Sequence, residues 1–243
     1  RCIIELGGYT GISVIGESSP LIEYNTIVQN AFNGIHIEPD WALLDTSLAD
    51  PVSEMYSTVA QSFIYNNVIV ENDDAGIRLP QDQVLYGMGI IPEVKYNDIW
   101  NNASLAYVPP DWISPGTPMY ADVSTDIHSD PFFVDLEMSD YSLHPCSGVV
   151  DMGDPLDTDD DGTRADMGAL PSYQGPYDLA KRLKHDNVYN KLSLDAGEIY
   201  RVRCDVWVDE GDVLSIGPGT VLAFEGPYSV YVYGTVEVSG TQG

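Results

Sequence analysis

Apolar and polar positions alternate along this chain in short runs, each closed by Asn or Gly. The pattern Asn-x-Ile-x-x-Asn occurs three times, over Asn25–Asn30, Asn67–Asn72 and Asn97–Asn102. The first two copies are followed, at the same offset, by Gly34-Ile35-His36-Ile37 and Gly76-Ile77-Arg78-Leu79, and an earlier Gly11-Ile12-Ser13-Val14 lies 23 residues before Gly34. Runs this short, β-branched and interrupted do not make helices. A repeat of about 23 residues predicts a coiled parallel sheet in which each turn of the chain is one rung. Within a rung, Ile27, Ile69 and Ile99 should point inward. The Asn residues should sit where the chain turns, because Asn tolerates the left-handed conformation and bonds nearby backbone. Rungs stack about 4.8 Å apart, which lets equivalent Asn side chains form a hydrogen-bonded ladder.

The copies are unevenly spaced, at 42 residues from Asn25 to Asn67 and 30 from Asn67 to Asn97. The excess over one rung falls at Pro39–Ala60 and Pro80–Pro92, after the Gly-Ile strand in both cases. Two loops leaving the same corner would wall one edge of a groove, with Trp41, Tyr56 and Tyr86 on or beside them as ligand-binding aromatics.

Three segments follow from this texture. Residues 1–108 carry the rungs; 109–180 are a Pro/Asp-rich closing segment and linker; 181–243 begin a second strand-rich unit. That last unit alternates cleanly, as in Val206-x-Val208 and Val236-x-Val238, with Pro-Gly or Gly at its corners.

Charge narrows the partners. The chain has 38 acidic and 10 basic residues, a net charge of −28, and such a surface would repel nucleic acid and anionic lipid, whose phosphates need clustered Lys and Arg. No apolar run is long enough to span a membrane, so no insertion is expected. The three cysteines, Cys2, Cys146 and Cys204, permit one intrachain disulfide and leave one thiol. A start at Arg1 rather than Met reads as a processed product or a piece of something larger.

With these residues in view, the chain resembles the right-handed parallel β-helix proteins of the pectate-lyase-like superfamily, and more closely the large secreted or surface-attached bacterial type. Asp130-Pro-Phe-Phe-Val-Asp135, Asp140-Tyr-Ser-Leu143 and Asp159-Asp-Asp-Gly-Thr-Arg-Ala-Asp-Met-Gly-Ala169 are similar to the segment that closes such helices. Gly211-Asp-x-Leu-x-Ile-x-Pro-Gly-Thr-Val-Leu-x-Phe224 is similar to the segment that opens them. The implied fold is an all-β solenoid whose closing segment is followed by the opening rungs of a second β-helix. The open ends suit end-to-end self-association or joining to other domains of a larger chain. A Cys204–Cys2 cross-link at such a junction is an expectation of that arrangement.

In the family's enzymes, the face carrying the Gly-Ile strands holds the active site. Here its outward residues are Ser13, His36, Glu38 and Arg78. A lyase would use His36 or Arg78 as base, with Glu38, Asp73 and Asp74 as calcium ligands; a hydrolase would need opposed carboxylates, for which Asp73, Asp74 and Asp98 are the candidates. Separately, Asp157-x-Asp159-x-Asp161-Gly162, with Asp166 beyond it, spaces oxygen ligands as a Ca²⁺ loop does; a polar turn with Asx caps explains the same residues. Asn102-Ala-Ser104 is a formal glycosylation acceptor.

This thin inventory favours a non-catalytic module at the cell surface or outside the cell: a stalk, an adhesin or a head-to-tail filament subunit. The alternative is a carbohydrate-active β-helix protein, a lyase, glycoside hydrolase or binder of polysaccharide.

Overall fold

The computed structural model describes residues 1–16, 18–38, 61–79, 92–108, 123–172 and 191–240. Trp41, Tyr56 and Tyr86, with the loop excesses that carry them, lie outside the described residues, as does the hydrophilic stretch Asp178–Asn190. The described chain is all-β, with its repeating strands in parallel sheets. It divides into two compact units, Arg1–Ser142 with Ser147–Pro171, and Leu143–Cys146 with Ser172–Gly243.

In the first unit, the chain lays one strand on each of three sheets and then begins again. The first pass gives β1 (Ile3–Glu5), β2 (Ile12–Ile15) and β3 (Leu21–Glu23). The second gives β4 (Thr26–Val28), β5 (Ile35–Glu38) and β6 (Phe63–Tyr65), and the third β7 (Val68–Val70), β8 (Ile77–Arg78) and β9 (Glu93–Lys95). A fourth adds β10 (Asp98–Trp100) and β11 (Tyr107–Val108). The sheets are ordered β1-β4-β7-β10, β2-β5-β8-β11 and β3-β6-β9. Register repeats without slippage: Ile27 faces Ile69, which faces Ile99, and Ile35 faces Ile77. These isoleucines are at most 2% exposed and form the core with Ile37, Ile64 and Val94.

Two sequence features enforce that register. The first is the asparagine ladder. Asn25, Asn67 and Asn97 make one rail, Asn30, Asn72 and Asn102 the other. The Oδ1 of Asn67, Asn72, Asn97 and Asn102 accepts the main-chain N–H and the Nδ2 of the Asn one pass earlier, as Asn97 does from Asn67 at 3.0 and 2.9 Å, while that of Asn25 and Asn30 accepts the main-chain N–H of Cys2 and Gly7. The Nδ2 groups of Asn30, Asn67, Asn72, Asn97 and Asn102 also each donate to two carbonyls, for Asn67 those of Ile22 and Tyr65. The buried corner is thereby fully paired. The left-handed residue is not the ladder Asn, as the sequence suggested, but the one before it: Tyr24, Gln29, Asn66, Glu71, Tyr96 and Asn101 all have φ between 51° and 57°. The ladder Asn is kept for its hydrogen bonds, and those bonds hold its neighbour in a conformation that costs about 1–2 kcal/mol for a residue with a Cβ.

The second is the Gly before each Ile. A Cβ at Gly34 would lie 2.3 Å from Ile69 Cγ2 and 2.7 Å from the Gly76 carbonyl, and Gly76 meets Ile99 and Ala106 in the same way. The core isoleucine of the next pass fills the space a side chain would need.

Strands β4 and β7 are buried on both faces. Residues 123–142 and 147–171 belong to the same unit and cover the outer face of the β1-β4-β7-β10 sheet. Thr26 Oγ1 accepts the Ala169 N–H at 3.0 Å, Asn66 Oδ1 accepts that of Asp154 at 2.7 Å, and Tyr141 donates its hydroxyl to Glu5. Within this cover, β12 (Phe133–Asp135) pairs with β13 (Asp140–Leu143).

The second unit repeats the three-sheet pattern more regularly. It contains β14 (Leu192–Leu194), β15 (Ile199–Val202), β16 (Val206–Val208), β17 (Val213–Ile216), β18 (Val221–Phe224), β19 (Val230–Val232) and β20 (Thr235–Val238). Sheets β14-β17-β20, β15-β18 and β16-β19 are all parallel. Leu192, Leu194, Tyr200, Val202, Val206, Val208 and Leu214 make its core. Cys146 and Cys204, both within this unit, form a disulfide with Cα atoms 5.7 Å apart, and Cys2 is a free, exposed thiol. The expected Cys204–Cys2 cross-link is therefore corrected: Cys204 is already paired within its own unit.

Candidate functional site

Outward positions of β2, β5 and β8 bring Ser13, His36 and Arg78 into one row, in direct register. Strand alternation does this, since Ile35, Ile37 and Ile77 are turned into the core. Arg78 is committed on two sides: its guanidinium pairs with Asp74 at 2.7 Å, and its Nε donates to Asn33 Oδ1 at 3.1 Å. His36 Nε2 lies 3.9 Å from Glu38. Burial holds the His36 imidazole below its ordinary value; Glu38 pulls it up and Arg78 pushes it down. At neutral pH the row therefore presents an uncharged imidazole able to accept a proton. It also presents a guanidinium whose charge Asp74 already balances. Asp74, expected as a calcium ligand, is spent on Arg78, while Asp73 stands exposed.

Asp98 is a correction. Offered as one of the opposed carboxylates that a hydrolase needs, it is wholly buried. The cover formed by residues 123–171 explains this: the Ser129 N–H donates to Asp98 Oδ1 at 3.0 Å, and Oδ2 is buried with no hydrogen-bond partner among the described residues. Burial pushes its carboxyl up to about 8, so it is protonated at neutral pH. Nearby, Asp126 takes the next place on the ladder, accepting from both nitrogens of Asn97 and from the Tyr107 hydroxyl at 2.5 Å. Burial raises Asp126 to about 6, against the lowering effect of those bonds. Asp126 was missed because the ladder motif was sought as Asn; Ile127, which bridges to Asp98, was the available signal.

The four aspartates with calcium-loop spacing do not converge. Asp157 accepts from the Tyr24 hydroxyl at 2.6 Å, and Asp159 pairs with Arg1 at 2.9 Å while accepting the Asp166 N–H. Asp161 accepts from both the N–H and the hydroxyl of Thr163, and Asp166 from the Asp151 N–H. Asp161 forms an Asx turn with Thr163, the other three carboxylates are held by longer-range bonds, and Arg1 lies 4.6 Å over the Tyr24 ring. Among the described residues, the one cluster of candidate metal-ligand atoms is His144, Cys146 and Cys204, and the disulfide holds both sulfurs of that group. Asn102, the formal glycosylation acceptor, uses its Nδ2 to bond the Ile69 and Trp100 carbonyls and so serves the ladder instead.

Comparison with protein-family models, with curated proteins and with solved structures returned no match.

Proposed function

We propose that both units are short right-handed parallel β-helices, and that the chain is a non-catalytic, extracellular structural module: a stalk, an adhesin or a head-to-tail filament subunit. Rotation through three parallel sheets supports the solenoid, and its hand follows from the right-handed rule for parallel crossovers. One observation carries the function. Strands β1, β2 and β3 all stand at sheet edges, beside the exposed apolar residues Ile3, Ile15 and Leu21. Such edges accept a further strand, from another copy or from an adjoining segment of a longer chain. The disulfide fits an oxidising compartment, and no helix among the described residues is long and apolar enough to cross a membrane.

Electron microscopy of the purified chain tests this, with and without calcium chelation. Head-to-tail filaments with a repeat of about 4.8 Å along the axis support it. Isolated monomers under all conditions remove the filament form. The alternative, a carbohydrate-active protein, rests on the neutral His36 beside Arg78. Turnover of an acidic polysaccharide that is abolished in His36→Ala would replace the structural reading.

A further inference from the structure

Away from the His36–Arg78 row, the cover over the β1-β4-β7-β10 sheet leaves a cavity of about 190 Å³. Trp100, Phe132, Phe133 and Pro131 line it together with the carboxylates of Glu71 and Asp130. We infer that this cavity is a binding site for a small organic cation of the trimethylammonium class.

Three observations carry the inference. First, its lining combines three aromatic side chains, Trp100, Phe132 and Phe133, with two acidic ones. An aromatic face attracts a cation through its quadrupole, and a quaternary ammonium loses no hydrogen bonds on entering such a cage. Second, neither carboxylate has a cationic partner among the described residues. Glu71 accepts from Gln29 and Asn101, and Asp130 accepts from the Phe132 N–H. Third, Phe132 is about half exposed at a φ of 50°, a conformation that bulky residues rarely adopt. The Asp130 carboxylate accepts the Phe132 main-chain N–H at 2.8 Å and so braces this backbone beside the cavity.

Charge and size exclude anionic and drug-sized ligands. Two carboxylates in a chain of net charge −28 repel uronates and phosphates. The volume is below the roughly 300–1,000 Å³ of sites that enclose drug-sized ligands, which leaves a headgroup.

Choline and a trimethyllysine peptide, titrated calorimetrically into the intact chain at constant ionic strength, test the site. Saturable binding of either supports it, and the tighter one names the source of the headgroup. The neutral isostere 3,3-dimethylbutanol should bind at least about tenfold more weakly. Trp100→Leu and Phe132→Leu should each lower affinity by about tenfold, and Glu71→Gln and Asp130→Asn by several-fold, with circular dichroism unchanged. No saturation by about 50 mM overturns the inference, as does equal binding of the neutral isostere or of the Glu71→Gln/Asp130→Asn double variant.

Discussion

Asn67 holds Asn25 through a single oxygen: its Oδ1 accepts both the main-chain N–H and the Nδ2 of Asn25, each at 3.0 Å. The same side chain donates to Ile22 and Tyr65, so one residue satisfies polar groups on two passes of the chain. Asn67→Ala would leave those groups unpaired in a site that water does not reach. A loss of roughly 3 kcal/mol in urea unfolding is expected, because buried unsatisfied groups cost about 1–3 kcal/mol each and partial relaxation recovers some of it. Asn67→Asp should not rescue, since it keeps the acceptor but turns a charged oxygen toward two carbonyls. Wild-type stability in either variant would show that packing of the isoleucines alone holds the corner.

Gly34 and Gly8 make a matched pair for the second prediction. An added methyl at Gly34 meets Ile69 and the Gly76 carbonyl, while at Gly8 it meets nothing within 4 Å. Gly34→Ala should destabilise by roughly 3 kcal/mol or prevent folding, as overpacking against backbone does. Gly8→Ala should stay within about 0.5 kcal/mol of wild type. Equal effects in thermal unfolding would contradict the packing described for β5 and β8.

The repeat was legible because it is periodic: Asn, Ile and Gly recur at fixed offsets, and each performs a job that no other residue type performs as well. Tyr24, Gln29 and Glu71 were not legible as left-handed positions, since nothing in their chemistry marks them; the ladder next to them imposes the conformation. The burial of Asp98 was not legible for a different reason. Strand alternation says only that it points away from the core, and the residues burying it come from 123–171, where no period exists to align them. The Cys146–Cys204 pairing was likewise open, because three cysteines allow three pairs. Trp100, Phe132 and Phe133 meet only through that same aperiodic cover, so their cavity has no signature in the sequence.

Chelation should not matter to the Asp157–Asp166 turn. Its carboxylates are occupied by Tyr24, Arg1, Thr163 and backbone N–H groups. Melting temperatures in EDTA and in millimolar calcium should agree within about 1 °C, whereas a specific site would raise the melting temperature with calcium concentration. Asp159→Asn should lower stability equally in both buffers. A calcium-dependent rise would restore the metal-loop reading.

The Asp98 carboxyl makes stability depend on pH in a defined direction. Its ordinary value of 3.8 rises to about 8 on folding, so between those values the folded state binds a proton that the unfolded chain releases. Its contribution is therefore complete below about 4 and is lost as pH rises through about 8. Asp126, raised to about 6, acts in the same sense over a narrower window. Urea midpoints should fall from pH 5 to pH 8.5, and Asp98→Asn should flatten that slope. General repulsion among the acidic residues also weakens the fold as pH rises, but one substitution in 38 would hardly alter it. An unchanged slope in Asp98→Asn would mean that the carboxyl ionises near its ordinary value.

Cys146 and Cys204 close a loop of 58 residues, and chain-entropy arguments assign such a closure about 4 kcal/mol. Iodoacetamide under denaturing, non-reducing conditions should label one thiol, Cys2, and after reduction three. Cys204→Ser should then expose a second reactive thiol and lower the stability of the second unit, whose core of Leu192, Tyr200, Val206 and Leu214 is small. Labelling of all three thiols without reductant would remove both the disulfide and the support it gives to an oxidising compartment. Dimers cross-linked through Cys2 alone would be compatible with the pairing, whereas dimers that require Cys204 would contradict it.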